Sequence, residues 1–140
     1  LKAEERGTSD GILEGLASGL DPLTKSFRIQ ERVASVGFDW EDHEGARAKV
    51  LEEVDEVSEA LDEADATKVE EEVGDLLFAA VNFARLAGVH PTNALAAANA
   101  KFQRRFERVE ALAREQGVEM KSAGLPVLDG LWDEVKKQES

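Results

Sequence analysis

Residues 51–61 read LEEVDEVSEAL, setting the carboxylates of Glu52, Glu53, Asp55, Glu56 and Glu59 between apolar residues that recur at helical intervals. Together with Val50, the positions Val54, Val57 and Leu61 keep the three- and four-residue spacing that puts side chains on one face of an α-helix. The stretch predicts helix rather than strand, and the pattern extends over residues 42–63. Its acidity needs a reason. Like charges on neighbouring helical positions repel by about 0.2–0.5 kcal/mol per pair unless solvent screens them or a cation bridges them.

Segments on either side carry the same period. Residues 22–36 open with Asp21 and Pro22, an N-cap followed by a first-turn proline, and stop at Gly37. Residues 66–87 begin after Asp65 and end at Gly88, and residues 91–116 run from Pro91 to Gly117. A short helix at about 129–138 follows a loop bearing Gly and Pro. No strand pattern or internal repeat competes, so the expected fold is all-α: a bundle of four main helices plus a short C-terminal helix. The stripe Val50, Val54, Val57, Leu61 is the expected core face of the second helix. The run LLFAAVNFARL, residues 76–86, is apolar almost all round and marks the third as the most buried. Residues 1–20, rich in Gly and Ser, read as a flexible leader to a domain at 21–140. The chain opens on Leu1 rather than methionine, as a fragment or processed form would.

Composition narrows the function. A chain of 140 residues, 34% charged and 42% hydrophobic, has the length and balance of one globular domain. It has no cysteine, which excludes disulfides and thiolate metal sites and fits a cytoplasmic protein. No apolar run approaches the roughly 20 residues that cross a bilayer. The net charge of −13 argues against a nucleic-acid polymer or an anionic membrane as partner, since both require a basic face. Residues 41–75 hold fifteen of the 30 acidic residues, with only Arg47, Lys49 and Lys68 as cations. Residues 101–108 are locally basic through Lys101, Arg104, Arg105 and Arg108.

With the valine and leucine stripe as zero, Glu53 falls near about −60° and Glu56 near about −120°, both bordering the core, while Glu52, Asp55 and Glu59 point toward solvent. Just before the apolar run of the third helix stand Glu72 and Asp75, again at i, i+3. Two such acidic pairs separated by one short turn can face each other across an antiparallel helix pair. Glu53, Glu56, Glu72 and Asp75 meeting at the mouth of a core could not all stay ionised without a compensating cation. Oxygen donors with no His or Cys point to magnesium or manganese rather than zinc or copper. On spacing alone, a structural charge cluster is the competing reading.

The pattern Glu52-Glu53-x-x-Glu56, followed after fifteen residues by Glu72-x-x-Asp75, resembles the EExxE and ExxD signature of the MazG family of nucleoside triphosphate pyrophosphohydrolases. The segments QERVASVGFDW, EEVGDLLFAAVNFARLAGV, ALAAANAKFQRRFERVE and LWDEVKKQE are similar to the same family, over about residues 22–140. ERGTSDGILEGL resembles the segment that precedes its C-terminal catalytic module. The resemblance implies an all-α homodimer that splits ribo- or deoxyribonucleoside triphosphates into monophosphate and pyrophosphate with Mg2+, or Mn2+ in its place, in nucleotide-pool housekeeping. It makes 21–140 the catalytic domain. By position it implies Glu53, Glu56, Glu72 and Asp75 as metal ligands, with Glu52 and Glu71 as neighbouring catalytic carboxylates that support the ligands or activate a water.

The resemblance also implies that Lys68, Lys101, Arg105, Trp132 and Lys136 bind substrate. Periodicity alone would make Lys101 and Arg105 a solvated face beside the stripe Leu95, Ala98, Phe102, Phe106, Val109, and Trp132 a residue that docks its helix. Asn99 lies on the opposite flank of that stripe. Phe38 and Trp40 in GFDW read as core anchors and Asn82 as a hydrogen-bonded core amide, with contact to a nucleobase the alternative for each. His90 stands where the family often has an acidic N-cap. A carboxylate-bridged iron bundle needs Glu-x-x-His pairs, but Trp40 and Ala87 stand three residues before His43 and His90, so that reading falls. A noncatalytic acidic helical module for interaction or regulation stays open beside the enzyme.

Overall fold

The computed structural model describes residues 11–139. It is all-α, with no strand among the described residues. The helices are α1 (Pro22–Ala34), α2 (His43–Asp62), α3 (Ala66–Leu86), α4 (Pro91–Gln116), α5 (Met120–Ala123) and α6 (Leu125–Gln138). Their ends follow local chemistry. Asp21, Asp42 and Asp65 cap α1, α2 and α3, their carboxylates accepting from the backbone N–H groups of Thr24, Glu44 and Lys68. Three helices stop on a glycine in the left-handed region, Gly37, Gly88 and Gly117. In each the next residue donates back five positions: Phe38 to Val33, Val89 to Ala84 and Val118 to Ala113. The stop of α2 has the same bonds without the glycine. Ala64, at φ 53°, occupies the left-handed position while Asp65 donates to Ala60.

The chain divides into two compact units at Asn93 and Ala94. In the first, α2 and α3 are joined by residues 63–65 and pack along their length as an antiparallel hairpin, with α1 against α3. The α2 face that is buried is Ala46, Glu53 and Ala60, not the expected valine and leucine stripe, of which Val54 is 43% and Leu61 60% exposed. Two small residues fourteen positions apart, Ala46 and Ala60, let the two backbones approach, and Glu53, midway between them on the same face, is rolled inward. The apolar run of α3 is likewise less covered than expected. Ala79 and Val81 are buried, but Leu77 is 61% exposed, because two neighbouring helices cover only part of a surface that is apolar all round. The leader reading of residues 1–10 lies outside the described residues. Residues 11–20 run as turns, and the Arg32 guanidinium donates to the carbonyls of Ile12 and Glu14.

The second unit comprises residue 94 onward of α4, with α5 and α6. Val109 and Ala113 of α4 pack with Leu131 and Val135 of α6, and Leu112, Leu128 and Trp132 border this core. Helix α6 starts at Leu125, before the expected 129, with Pro126 in its first turn. A proline there forfeits no helical hydrogen bond, so a residue that reads as loop punctuation is the helix start. Of the stripe Leu95, Ala98, Phe102, Phe106, Val109, only Val109 is buried within the chain. Among the described residues no helix is long and apolar enough to cross a membrane.

Candidate metal centre

Three of the four carboxylates converge. Glu53 of α2 and Glu72 and Asp75 of α3 each bring one carboxylate oxygen to within 4.8 Å of the others. The short turn between antiparallel helices sets this register, and the roll of α2 carries Glu53 into the seam. Glu53 is 7% exposed. Its Oε1 lies 3.2 Å from Lys49 Nζ, while Oε2 is buried with no hydrogen-bond partner. A buried carboxylate oxygen with no donor is costly, and here it stands among further negative charge. Glu72 shows the strain: burial first, then repulsion from Glu56, Asp75, Glu53 and Glu71, pushes its carboxyl above the ordinary value. An orphaned buried oxygen in an all-carboxylate cluster is what a hard divalent cation would satisfy, so these residues fit such an ion.

Glu56 lies outside the 4.8 Å cluster, half-buried, although its charge acts on both Glu72 and Lys68. Glu52 is mostly exposed and paired with Lys49 at 3.1 Å, and Glu71 is exposed beside Glu72. Lys49 was not among the expected site residues. Its positions three and four before Glu52 and Glu53 were a readable signal, since those spacings bring helical side chains together. Lys68, in the first turn of α3, holds Glu63 at 3.0 Å. That hydrogen bond and charge, then the charges of Glu72 and Glu56, raise the Lys68 ammonium above its ordinary value.

The remaining expected substrate residues lie in the second unit. Arg105 Nε donates to both carboxylate oxygens of Glu139, at 2.9 and 3.0 Å, and Arg108 Nη1 reaches the same carboxylate at 3.1 Å. The Arg105 guanidinium also stands 5.8 Å from the centre of the Trp132 ring, against which Phe102 packs at 5.2 Å. Trp132 therefore docks α6 on α4, as periodicity alone would have it, and also faces a cation. Lys101 and Lys136 are exposed on α4 and α6.

The MazG nucleotide pyrophosphohydrolase domain matches residues 41–110, half of the chain, including all four expected ligands. The chain is 42% identical over 143 aligned residues to the nucleoside triphosphate pyrophosphohydrolase of Escherichia coli (strain K12), covering 99% of this chain and 54% of that protein. It is 39% identical over 137 residues to the nucleoside triphosphate pyrophosphohydrolase/pyrophosphatase MazG of Thermotoga maritima, covering 97% of this chain and 52% of that one. The chain thus spans about half the length of the curated relatives it matches. With the domain match lying over the carboxylate hairpin and both relatives aligned almost from end to end of this sequence, the chain belongs to the MazG nucleotide pyrophosphohydrolase family.

Proposed function

We propose that residues 21–140 act as a magnesium-dependent nucleoside triphosphate pyrophosphohydrolase, taking NTPs or dNTPs to the monophosphate and pyrophosphate. The observation that carries this reading is the buried, unpartnered Oε2 of Glu53 within the Glu53, Glu72, Asp75 cluster. A triphosphate bears about four negative charges, so bare carboxylates would repel it and are useful only as a cation socket. Glu53, Glu72 and Asp75, joined by Glu56, would hold Mg2+, with Mn2+ as substitute. When bound, the ion supplies polarisation of a phosphoryl oxygen and a lowered pKa for a neighbouring water.

The protein's own groups do the rest. Lys49 fixes one oxygen of Glu53 and so keeps the other turned to the cluster. Glu52 and Glu71 are carboxylates outside the cluster that can orient a water and take its proton as its oxygen bonds to the α-phosphorus and the bridging bond to pyrophosphate breaks. Lys68, Lys101, Arg105 and Lys136 supply charge for the departing phosphates, and the Arg105 fork already grips an oxyanion in Glu139. Trp132 offers a ring for stacking or for excluding water. A homodimer is the expected assembly. The composition and charge fit a cytoplasmic protein acting on small nucleotides rather than on nucleic-acid polymers or membranes.

Glu53→Gln tests this directly, because it removes one charge from the cluster while nearly preserving shape. The variant should keep or raise the melting temperature of the metal-free protein, lose most of the stabilisation that Mg2+ gives by binding only the folded state, and release almost no pyrophosphate. A solvated charge cluster predicts another result: sodium chloride at matched ionic strength would mimic magnesium by screening, and the variant would stay active. Matching salt responses with an active Glu53→Gln protein would overturn the proposal.

A further inference from the structure

Glu139 stands where a helix disfavours it. It closes α6, whose carbonyl end carries partial negative charge, so an acid there is repelled while Lys136 and Lys137 of the last turn are favoured. Its partners lie on α4. Arg105 Nε donates to both carboxylate oxygens, Arg105 Nη2 lies 2.8 Å from Oε1, and Arg108 Nη1, one turn further on, donates to Oε2 at 3.1 Å. The Arg105 and Glu139 side chains are 22% and 28% exposed, so solvent only partly screens the pair.

The geometry also fixes which part of the guanidinium is taken. Arginine carries five N–H donors in one rigid plane. Glu139 sits against the edge formed by Nε and Nη2, and the Trp132 ring centre stands 5.8 Å from the guanidinium carbon, with Phe102 packed on that ring at 5.2 Å. Trp132, Val135 and Glu139 recur at three- and four-residue steps, so one face of α6 supplies both the ring and the carboxylate. Val135, buried against Val109 and Ala113, anchors that face on α4. The opposite edge, formed by Nη1 and the outer side of Nη2, has no hydrogen bond or ion pair among the described residues. Its parallel N–H groups match a pair of phosphoryl oxygens.

We infer that Glu139 is a positioning residue for the substrate phosphates: it holds the Arg105 guanidinium by its Nε side and so presents the opposite edge already ordered. This rests on the phosphate role proposed for Arg105. An anion that competed with phosphate would occupy the Nη1 and Nη2 edge, whereas a carboxylate on the Nε side stays in place while phosphate binds. A free arginine loses the freedom of a long side chain when it grips a ligand, and here that loss is met on folding. Their mutual hydrogen bond keeps the Glu139 carboxyl below its ordinary value and the Arg105 guanidinium above its own, so both are charged at neutral pH.

Calorimetry with Mg2+ and an α,β-methylene nucleoside triphosphate, whose bridging carbon resists hydrolysis, tests this without turnover. Glu139→Ala should weaken binding of the analogue by about threefold to tenfold, the effect of ordering one long side chain. Melting should stay nearly unchanged, because the helix end is relieved of an unfavourable charge. Glu139→Gln, which keeps an acceptor of the same shape, should fall between the wild type and Glu139→Ala. In an Arg105→Ala background, Glu139→Ala should change nothing further, since its effect runs through that guanidinium. An effect that persists there would mark a structural role and overturn the inference. Tighter binding by either Glu139 variant would reveal a competitor, and unchanged affinity an idle surface pair; each overturns it as well. If Arg105→Ala itself leaves binding unaltered, the phosphate role of Arg105 and the inference fall together. If both residues affect binding as expected while the wild-type protein releases no pyrophosphate from any triphosphate, the hydrolase reading fails and the inference stands.

Discussion

Asp39 ties the GFDW turn to α3 through Arg85. Both of its carboxylate oxygens accept from the Arg85 guanidinium, at 2.9 and 2.6 Å, and Oδ1 also takes the Trp40 backbone N–H. The Arg85 hydrogen bonds, helped by that N–H and by the Arg85 charge, outweigh burial and hold the Asp39 carboxyl below its ordinary 3.8. A depressed folded pKa means that the unfolded chain binds more protons in the window below 3.8, so this contribution is present above that pH and is lost as pH falls through the folded value. Asp39→Asn should therefore cost about 1 kcal/mol near neutral pH, a partly exposed charged hydrogen bond being worth no more. The difference from wild type, measured by urea unfolding across pH, should shrink steadily on the acid side of 3.8. A difference independent of pH would show that the ion pair is not its source. Glu53 is a residue of opposite character: one oxygen is paired to Lys49 and the other to nothing, so its burial carries a local cost.

At the scale of the helix, the stops carry the clearest prediction. Ala64 sits in the left-handed region where the other stops have glycine, and a Cβ there costs roughly 1–2 kcal/mol. Glycine relieves that strain but loses more entropy on folding, so Ala64→Gly should stabilise the protein by about 0.5–1 kcal/mol. Thermal melts decide it, and a lower midpoint would mean that the α2–α3 turn gains from the stiffness of alanine. The glycine stops and the Asp21 and Asp65 caps were legible in the sequence because each is one residue with one conformational role. The convergence of Glu53 with Glu72 and Asp75 was legible too, since acidic pairs on either side of a short turn map onto one another across a hairpin. What the sequence hid was rotation. A helix with two apolar faces does not declare which one is buried, and here Ala46, Glu53 and Ala60 were chosen over Val54 and Leu61 because small side chains permit closer backbones. For the same reason Phe38 and Trp40 read as core anchors, yet they are 77% and 42% exposed. Their position depends on the Gly37 stop and on Gly45, not on their own hydrophobicity.

At the scale of the whole molecule, the exposed apolar side chains of the hairpin make a second copy of the chain the expected partner. Leu51, Val54 and Leu61 on α2 and Val73 and Leu77 on α3 are each between 36% and 61% exposed. Exposed apolar side chains on two adjacent helices are the usual material of helix-on-helix association, and a second copy of the chain is expected to cover them. Each copy carries a formal charge of −13, so association has to overcome electrostatic repulsion. An interface held by apolar contact between like-charged chains should tighten as salt rises from about 0.01 M to about 0.15 M, where the screening length falls from about 30 to about 8 Å; one held by salt bridges would loosen. Sedimentation of the wild-type protein at micromolar concentration should thus show a dimer that strengthens over that range. Leu77→Asp adds charge to a site already 61% exposed, so it should leave the melting of the isolated chain nearly unchanged while shifting the population to monomer. A wild-type protein that stays monomeric at both salt concentrations while hydrolysing triphosphates at full rate would show that a second copy is not what covers these leucines and valines.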